Sequence, residues 1–138
     1  MRLWHEALLP VISDKRLVRQ HCECCALRGN FWGHKHSTVD YVFKYSYDRL
    51  YKYHVAVIAE MIQRDMKPNT IWLTYGYRGK DCHESIPQVK DDFKSMFKPY
   101  IYPEHDDAYL QFCIEKLIAK GESRKNFESL LKETIYFH

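Results

Sequence analysis

The stretch HCECCALRG, residues 21 to 29, gathers three cysteines, a histidine and one carboxylate into about two helical turns. Thiols and imidazoles bind metals, but a zinc site needs its ligands to converge on one point. Successive helical residues turn by about 100°, so Cys22 and Cys24 point about 200° apart and cannot share an ion. His21 and Cys25, one turn apart, can, given partners from His34, His36, Cys82 or His83. None of the finger or ribbon spacings is present. Cys24 and Cys25 read more simply as small buried groups, with Cys22 the more exposed thiol. A nucleophilic cysteine needs a positive environment and a base, for which the neighbouring histidines are the signal.

Arg16, Arg19, Gln20 and Glu23 share the other face of the same helix. One reading is a solvated face with an Arg19–Glu23 pair four residues apart, worth about 0.3–0.5 kcal/mol. The other is a basic surface carrying a single catalytic carboxylate. Spacing does not choose between them. Lys35 and His36 follow Trp32 and His34 in a glycine-bearing loop, NFWGHKHST, a composition that suits phosphate contact and base stacking as well as an ordinary surface loop. Tyr77-Arg78-Gly79-Lys80 is a basic turn able to grip phosphate, though it lacks a longer glycine pattern. Lys116 and Lys120 stand one turn apart, off the apolar face of a later helix, where simple solubility explains them equally well.

These residues need elements to hold them. Ser13 is placed to cap a helix from Asp14 to about Leu27 that Gly29 stops. Its Leu17, His21, Cys24, Cys25 and Arg28 share one face. A second helix is expected from about Ser46 to Asp65, with Phe43, Tyr47, Leu50, His54, Val57, Ile58 and Met61 as its stripe, ended by Lys67-Pro68-Asn69. Most tyrosines of YVFKYSYDRLYKY fall to packing. Residues 69–102 are broken by prolines and glycines and should hold short helices or turns. Pro103 opens a third helix, about Glu104 to Lys120, with Asp106 and Asp107 at its positive end and Leu110, Ile114 and Leu117 inward. Gly121 ends it, and a short last helix brings in Phe127, Leu130 and Leu131. No alternating strand pattern competes. The expected class is all-α, one compact domain over residues 1–138 with three main helices and long irregular connections.

Composition narrows the rest. Hydrophobic residues make up 46% of the chain, which excludes disorder. The cysteine count is five, an odd number, and MRLWHEALLP resembles neither a secretory signal nor an anchor, so a reduced, cytoplasmic protein is expected. No apolar run reaches about 18 residues, so no membrane partner is expected. A net charge of +3 permits a nucleic-acid partner without demanding one.

Five segments together carry a resemblance: MRLW at the start, DKRLVRQHCE in the first helix, GHKHS after it, FKYSYDRLYKYHVAVIAEMIQRDM in the second helix, and YPEHDDAYLQFCIEKLIAK in the third. Over nearly the whole chain they resemble the phage-type pyrimidine-dimer DNA glycosylases, also called dimer-excising endonuclease V. The resemblance implies a compact α domain with the N-terminal segment lying between helices. It implies a DNA-repair glycosylase with AP-lyase activity on double-stranded DNA carrying a damaged base, such as a UV pyrimidine dimer, or an abasic site. The N-terminal α-amine would attack the anomeric carbon of the sugar, the base would leave, and elimination from the imine would nick the strand, with no metal or cofactor. The family's catalytic glutamate falls on Glu23. Arg2, Arg16, Arg19, His21, Arg28, Lys35, His36, Lys116 and Lys120 are the candidate DNA contacts, and the chain is expected to act as a monomer. An α-amine has a pKa of about 7.7–8.0, so part of it is a neutral nucleophile near pH 7.

The chain departs from the family pattern in three places. Arg2 is too bulky to permit removal of the initiator, so Met1 should remain and its own amine should be the nucleophile. Cys22 stands where the pattern has an arginine, and Ala26 where it has a second basic residue, leaving Arg19 or Arg28 to compensate. Two other classes stay open: a non-catalytic nucleic-acid-binding module on the same fold, and a metal-binding or thiol-dependent protein built on His21, Cys22, Cys25 and the histidine loop.

Overall fold

The computed structural model describes residues 1–91 and 100–131. The Ser13 side chain accepts the Arg16 N–H at 3.3 Å and starts α1, Asp14–Arg28. Gly29 ends it for a steric reason: a Cβ there would stand 2.7 Å from the Arg78 carbonyl oxygen.

Helix α2, Tyr47–Gln63, buries Tyr47, Leu50, His54, Val57, Ile58 and Met61 of the expected stripe, together with Arg49 and Tyr53, while Phe43, also expected on it, precedes the helix in a 3-10 turn and is half-buried. It ends before the expected Lys67-Pro68-Asn69. Asp65 takes the left-handed conformation at φ 62°, and the Met66 and Asp65 N–H groups bond back to the Met61 and Ile62 carbonyls at 2.9 and 3.0 Å. That is a helix stop of the Schellman kind, with aspartate in the place usually held by glycine.

Helix α3, Asp107–Ala119, begins three residues later than Pro103 suggested. The Asp106 carboxylate accepts the Tyr109 N–H at 2.8 Å and sets the start, while the His105 N–H closes a turn onto the Tyr102 carbonyl at 2.9 Å. Leu110, Cys113, Ile114 and Leu117 face inward. The connections contain short 3-10 turns at Asp40–Lys44, Thr70–Leu73 and Arg124–Phe127. Phe127 is buried, Leu130 and Leu131 pack on the core, and residues 128–131 are helical. There is no strand among the described residues. The protein is all-α, with three main helices and long irregular connections among the described residues. No helix among the described residues is long and apolar enough to cross a membrane.

Residues 1–5 run extended between the helices, burying Leu3, Trp4 and His5. An extended segment without a β partner must find acceptors and donors elsewhere. All three helices supply them. Gln20 of α1 accepts the Trp4 N–H at 2.8 Å, Tyr53 of α2 donates to the Trp4 carbonyl at 2.6 Å, and Tyr109 of α3 donates to the Leu3 carbonyl at 2.6 Å.

Three buried arginines organise the irregular stretch after α2. Arg28, fully buried, donates to the carbonyls of Trp72, Thr74 and Tyr77 at 2.6, 3.1 and 3.0 Å and to the Tyr47 hydroxyl at 2.9 Å. Arg78 reciprocates, donating to the Arg28 carbonyl, to that of Gly29 at 3.1 Å and to that of Ser85 at 3.0 Å. Further along, Arg49 grips Asp91 through two bonds of 2.7 and 2.6 Å, which hold the Asp91 carboxyl down to about 2.

Candidate active site

A cavity of about 300 Å³ opens where the N-terminal segment crosses α1. Met1, Arg2 and Trp4 line it from the segment, Arg16, Arg19, Gln20 and Glu23 from α1, His36 and Thr38 from the loop after α1, and Lys116 and Lys120 from the end of α3. Glu23 is the single carboxylate among these lining residues, facing five arginines and lysines.

Met1 is anchored by its carbonyl, which accepts the Thr38 hydroxyl. That hydroxyl proton is then committed, so the 2.9 Å contact between His36 Nδ1 and Thr38 Oγ1 has the imidazole as donor. His36 is fixed further by its own N–H, which bonds the Asp40 carboxylate at 2.8 Å. Glu23 is held on both oxygens: Gln20 Nε2 donates to Oε2 at 3.1 Å, and Arg19 Nε lies 3.6 Å from Oε1. The Glu23 side chain is 18% exposed while that of Arg19 is 81% exposed, so the pair stabilises little and leaves Arg19 available to a ligand. Arg16 Nε meets Glu122 Oε1 at 2.9 Å and ties α1 to the turn after α3. The Schellman stop at Gly121, φ 105°, delivers Glu122 to that position through a 3.0 Å bond from its N–H to the Leu117 carbonyl. Arg2 sits with its guanidinium carbon 5.0 Å from the Phe112 ring centre, and Lys116 Nζ lies 5.6 Å from the same ring. The arrangement offers cations for phosphate oxygens, and sets the N-terminal residue and a carboxylate on one space.

Three of the residues expected at DNA lie elsewhere. Arg28 is the clear correction. It is completely buried, and its donors are spent on carbonyls and on Tyr47, so it neither reaches the cavity nor replaces the basic residue missing at Ala26. His21 does not line the cavity; it turns toward α2, with its Nδ1 2.8 Å from His54 Nε2. Lys35 is exposed beside His36 without lining the cavity. The basic turn is likewise no phosphate grip at Arg78, which is 5% exposed and caps α1.

His21, Cys25 and His54 bring ligand atoms within 4.8 Å of one another. The histidine that joins His21 and Cys25 thus comes from α2 and not from the loops. Its hydrogen bonds argue against an ion there. Arg28 Nη1 approaches His54 Nδ1 at 2.8 Å, and a guanidinium can only donate. Nδ1 is therefore the acceptor and Nε2 keeps the proton, which points at His21 Nδ1. With that bond in place His54 Nε2 has no lone pair for a metal. Burial and the Arg28 charge hold His54 down to about 2 and lower His21 as well, and burial pushes the Cys25 thiol up to about 12. The cluster is a chain of neutral groups joining α1 to α2, and its thiol is protonated at neutral pH.

Gln20, Thr38 and Trp4 are cavity residues that sequence reasoning did not single out as a site. Gln20 was visible as a neighbour of Glu23 on the same helix face. Nothing in the sequence marked Thr38 as the partner of Met1.

A family model for pyrimidine dimer DNA glycosylases matches residues 1–74 of the 138. That span covers the N-terminal segment, α1, the histidine loop and α2, but not α3. No curated protein and no solved structure matches the chain.

Proposed function

The chain belongs to the pyrimidine dimer DNA glycosylase family, and on that premise we propose that it excises the damaged base through the Met1 amine and then cleaves the strand as an AP lyase. The observation that carries this reading is that Met1 and Glu23, far apart in sequence, line one cavity rimmed by cations.

The neutral amine attacks the anomeric carbon, and the bond from that carbon to the base breaks with its electron pair leaving on the base. One amine proton passes to the departing base and the second to the ring oxygen, whose bond to the anomeric carbon breaks to give an imine between Met1 and the sugar. Removal of a proton from the adjacent sugar carbon then expels the 3′ phosphate and nicks the strand. Glu23 stabilises positive charge developing at the sugar and carries protons between these steps. Arg2, Arg16, Arg19, His36, Lys116 and Lys120 hold phosphates around an unstacked nucleotide. The imine serves as electron sink, so the sequence of steps asks for no metal. We further read the chain as one domain acting as a monomer. Its cysteines, unpaired in the structure, suit the reducing cytoplasm.

The test is to incubate the untagged protein with a duplex carrying one abasic site, add borohydride, and locate the cross-link by mass spectrometry. An adduct on the Met1 amine is expected. No adduct, with the N-terminus free and intact, overturns the lyase reading and leaves a DNA-binding module. Base release from a duplex with a single pyrimidine dimer tests the glycosylase step separately.

A further inference from the structure

Gln20 is 1% exposed and has every hydrogen-bonding valence of its amide engaged. Its Oε1 accepts the Trp4 N–H at 2.8 Å and lies 3.0 Å from the Tyr53 hydroxyl, whose single proton is shared between it and the nearer Trp4 carbonyl at 2.6 Å. Its Nε2 donates one proton to the Arg2 carbonyl at 2.9 Å and the other to Glu23 Oε2 at 3.1 Å. The orientation of the amide is unambiguous, because the Trp4 N–H demands an acceptor and the Arg2 carbonyl demands a donor. Gln20 therefore brackets Leu3 as a neighbouring β-strand would, and with the same nitrogen holds the carboxylate.

We infer that Gln20 is the positioning residue of the reaction, a single side chain that fixes the Met1 amine relative to Glu23. The inference rests on the roles proposed above for those two residues. Arg2 follows Met1 directly, so the bond to its carbonyl sets how far the amine reaches into the cavity. The bond to Oε2 sets where the carboxylate waits and leaves its other oxygen turned toward Arg19. A shift of about 1 Å in such a pair costs about 100-fold in rate, because reacting groups must lie within near-contact distance and aligned. Gln20 borders the cavity but spends its amide nitrogen on the Arg2 carbonyl and Glu23, so it acts on the reaction through them.

Two substitutions test this. Gln20→Met keeps the length and removes the four bonds. Gln20→Glu keeps the shape and the acceptor for Trp4, but sets a second carboxylate against the Arg2 carbonyl and Glu23. With an abasic duplex at saturating concentration, Gln20→Met is expected to lower the rate of borohydride trapping on Met1 about 100-fold. DNA affinity should hold, since the cations around the cavity are untouched. Gln20→Glu is expected to be slow at pH 8 and to recover relative to wild type toward pH 6, as the introduced carboxyl, raised by burial and by Glu23, protonates and becomes a donor. A purely structural role would lower the melting temperature and leave the pH profile of the folded protein unchanged.

Wild-type trapping on Met1 that depends on Glu23, together with unaltered rate and pH profile in both variants, overturns the role of Gln20 alone. Absence of a wild-type adduct overturns the proposed function, and the role of Gln20 with it. If Gln20→Met does not fold, the pH profile of Gln20→Glu decides.

Discussion

Lowering the pH from 7.5 to 5.0 should remove a large part of this protein's stability through its buried histidines. His54 and His105 are 0% and 1% exposed, and burial holds them neutral in the folded state, His54 down to about 2 and His105 down to about 3, against an ordinary 6.5. A histidine depressed by folding favours the native state fully above its unfolded pKa and loses that advantage as pH falls below it. The window therefore opens near 6.5 and extends to about 3 and about 2. At pH 5 each unfolded imidazole lies about 1.5 pH units below its pKa, which at 1.36 kcal/mol per unit is about 2 kcal/mol per histidine and about 4 kcal/mol for the two. His5 and His21 are lowered too and add in the same direction. Glu6, raised by burial, opposes them. Asp91, held near 2, keeps its contribution until below pH 3.8. Set against a typical total of about 5–15 kcal/mol, the loss is severe. Urea unfolding at the two pH values measures it directly. His105→Gln retains a hydrogen-bonding group for the Tyr41 hydroxyl, now 2.7 Å from His105 Nε2, and should shrink the difference by about 2 kcal/mol. Equal stability at pH 7.5 and 5.0, or an undiminished difference in the variant, would refute the reasoning.

Four further outcomes are expected. Glu23→Gln should lower the single-turnover rate on an abasic duplex by about 10²–10⁴ while leaving affinity in a gel-shift titration largely intact. Lys116→Ala and Lys120→Ala should each weaken DNA binding and reduce the slope of log affinity against log salt by about 0.9, the signature of a lost phosphate contact. Arg28→Met should leave that slope unchanged and lower unfolding stability by about 1–3 kcal/mol for each of the Trp72, Thr74 and Tyr77 carbonyls left without a donor. Asp65→Gly should raise stability by about 0.5–1 kcal/mol in thermal melts, since glycine takes φ 62° without strain.

The sequence made the helices legible where their causes are local. Ser13, Gly29 and the α2 stripe act within a turn of themselves, and they lie where periodicity and capping place them. Asp106 outcompeted Pro103 for the start of α3 because a carboxylate that bonds the Tyr109 N–H fixes the first turn more directly than a preset φ. The fate of a cation was not legible. Arg19 and Arg28 both sit on α1, yet one is solvated and the other enclosed, and the acceptors that enclose Arg28 come from the 70–77 stretch. Gln20 carried the same ambiguity. Its place beside Arg16 and Glu23 suggested a wet face, and only the N-terminal segment laid across that face makes it interior. His54 was rightly placed in the core stripe, but its partnership with His21 depends on how α1 meets α2, which no single helix encodes.

The reciprocal bonds of Arg28 and Arg78 bear on which parts of the native protein can open independently. Ile71, Leu73 and Tyr75 are 42%, 37% and 39% exposed, and by surface alone the stretch would fluctuate open at little cost. Its carbonyls, however, end on a guanidinium rooted in α1, and the last turn of α1 ends on a guanidinium rooted in that stretch. Neither side can let go without stranding a buried charge of the other. The 70–78 stretch and the C-terminal turn of α1 should therefore behave as one cooperative unit, with amide hydrogens that exchange together and near the global rate. Between residues distant in the chain, two arginines do here what a sheet does in other folds: they give irregular backbone a partner and couple its opening to that of a helix.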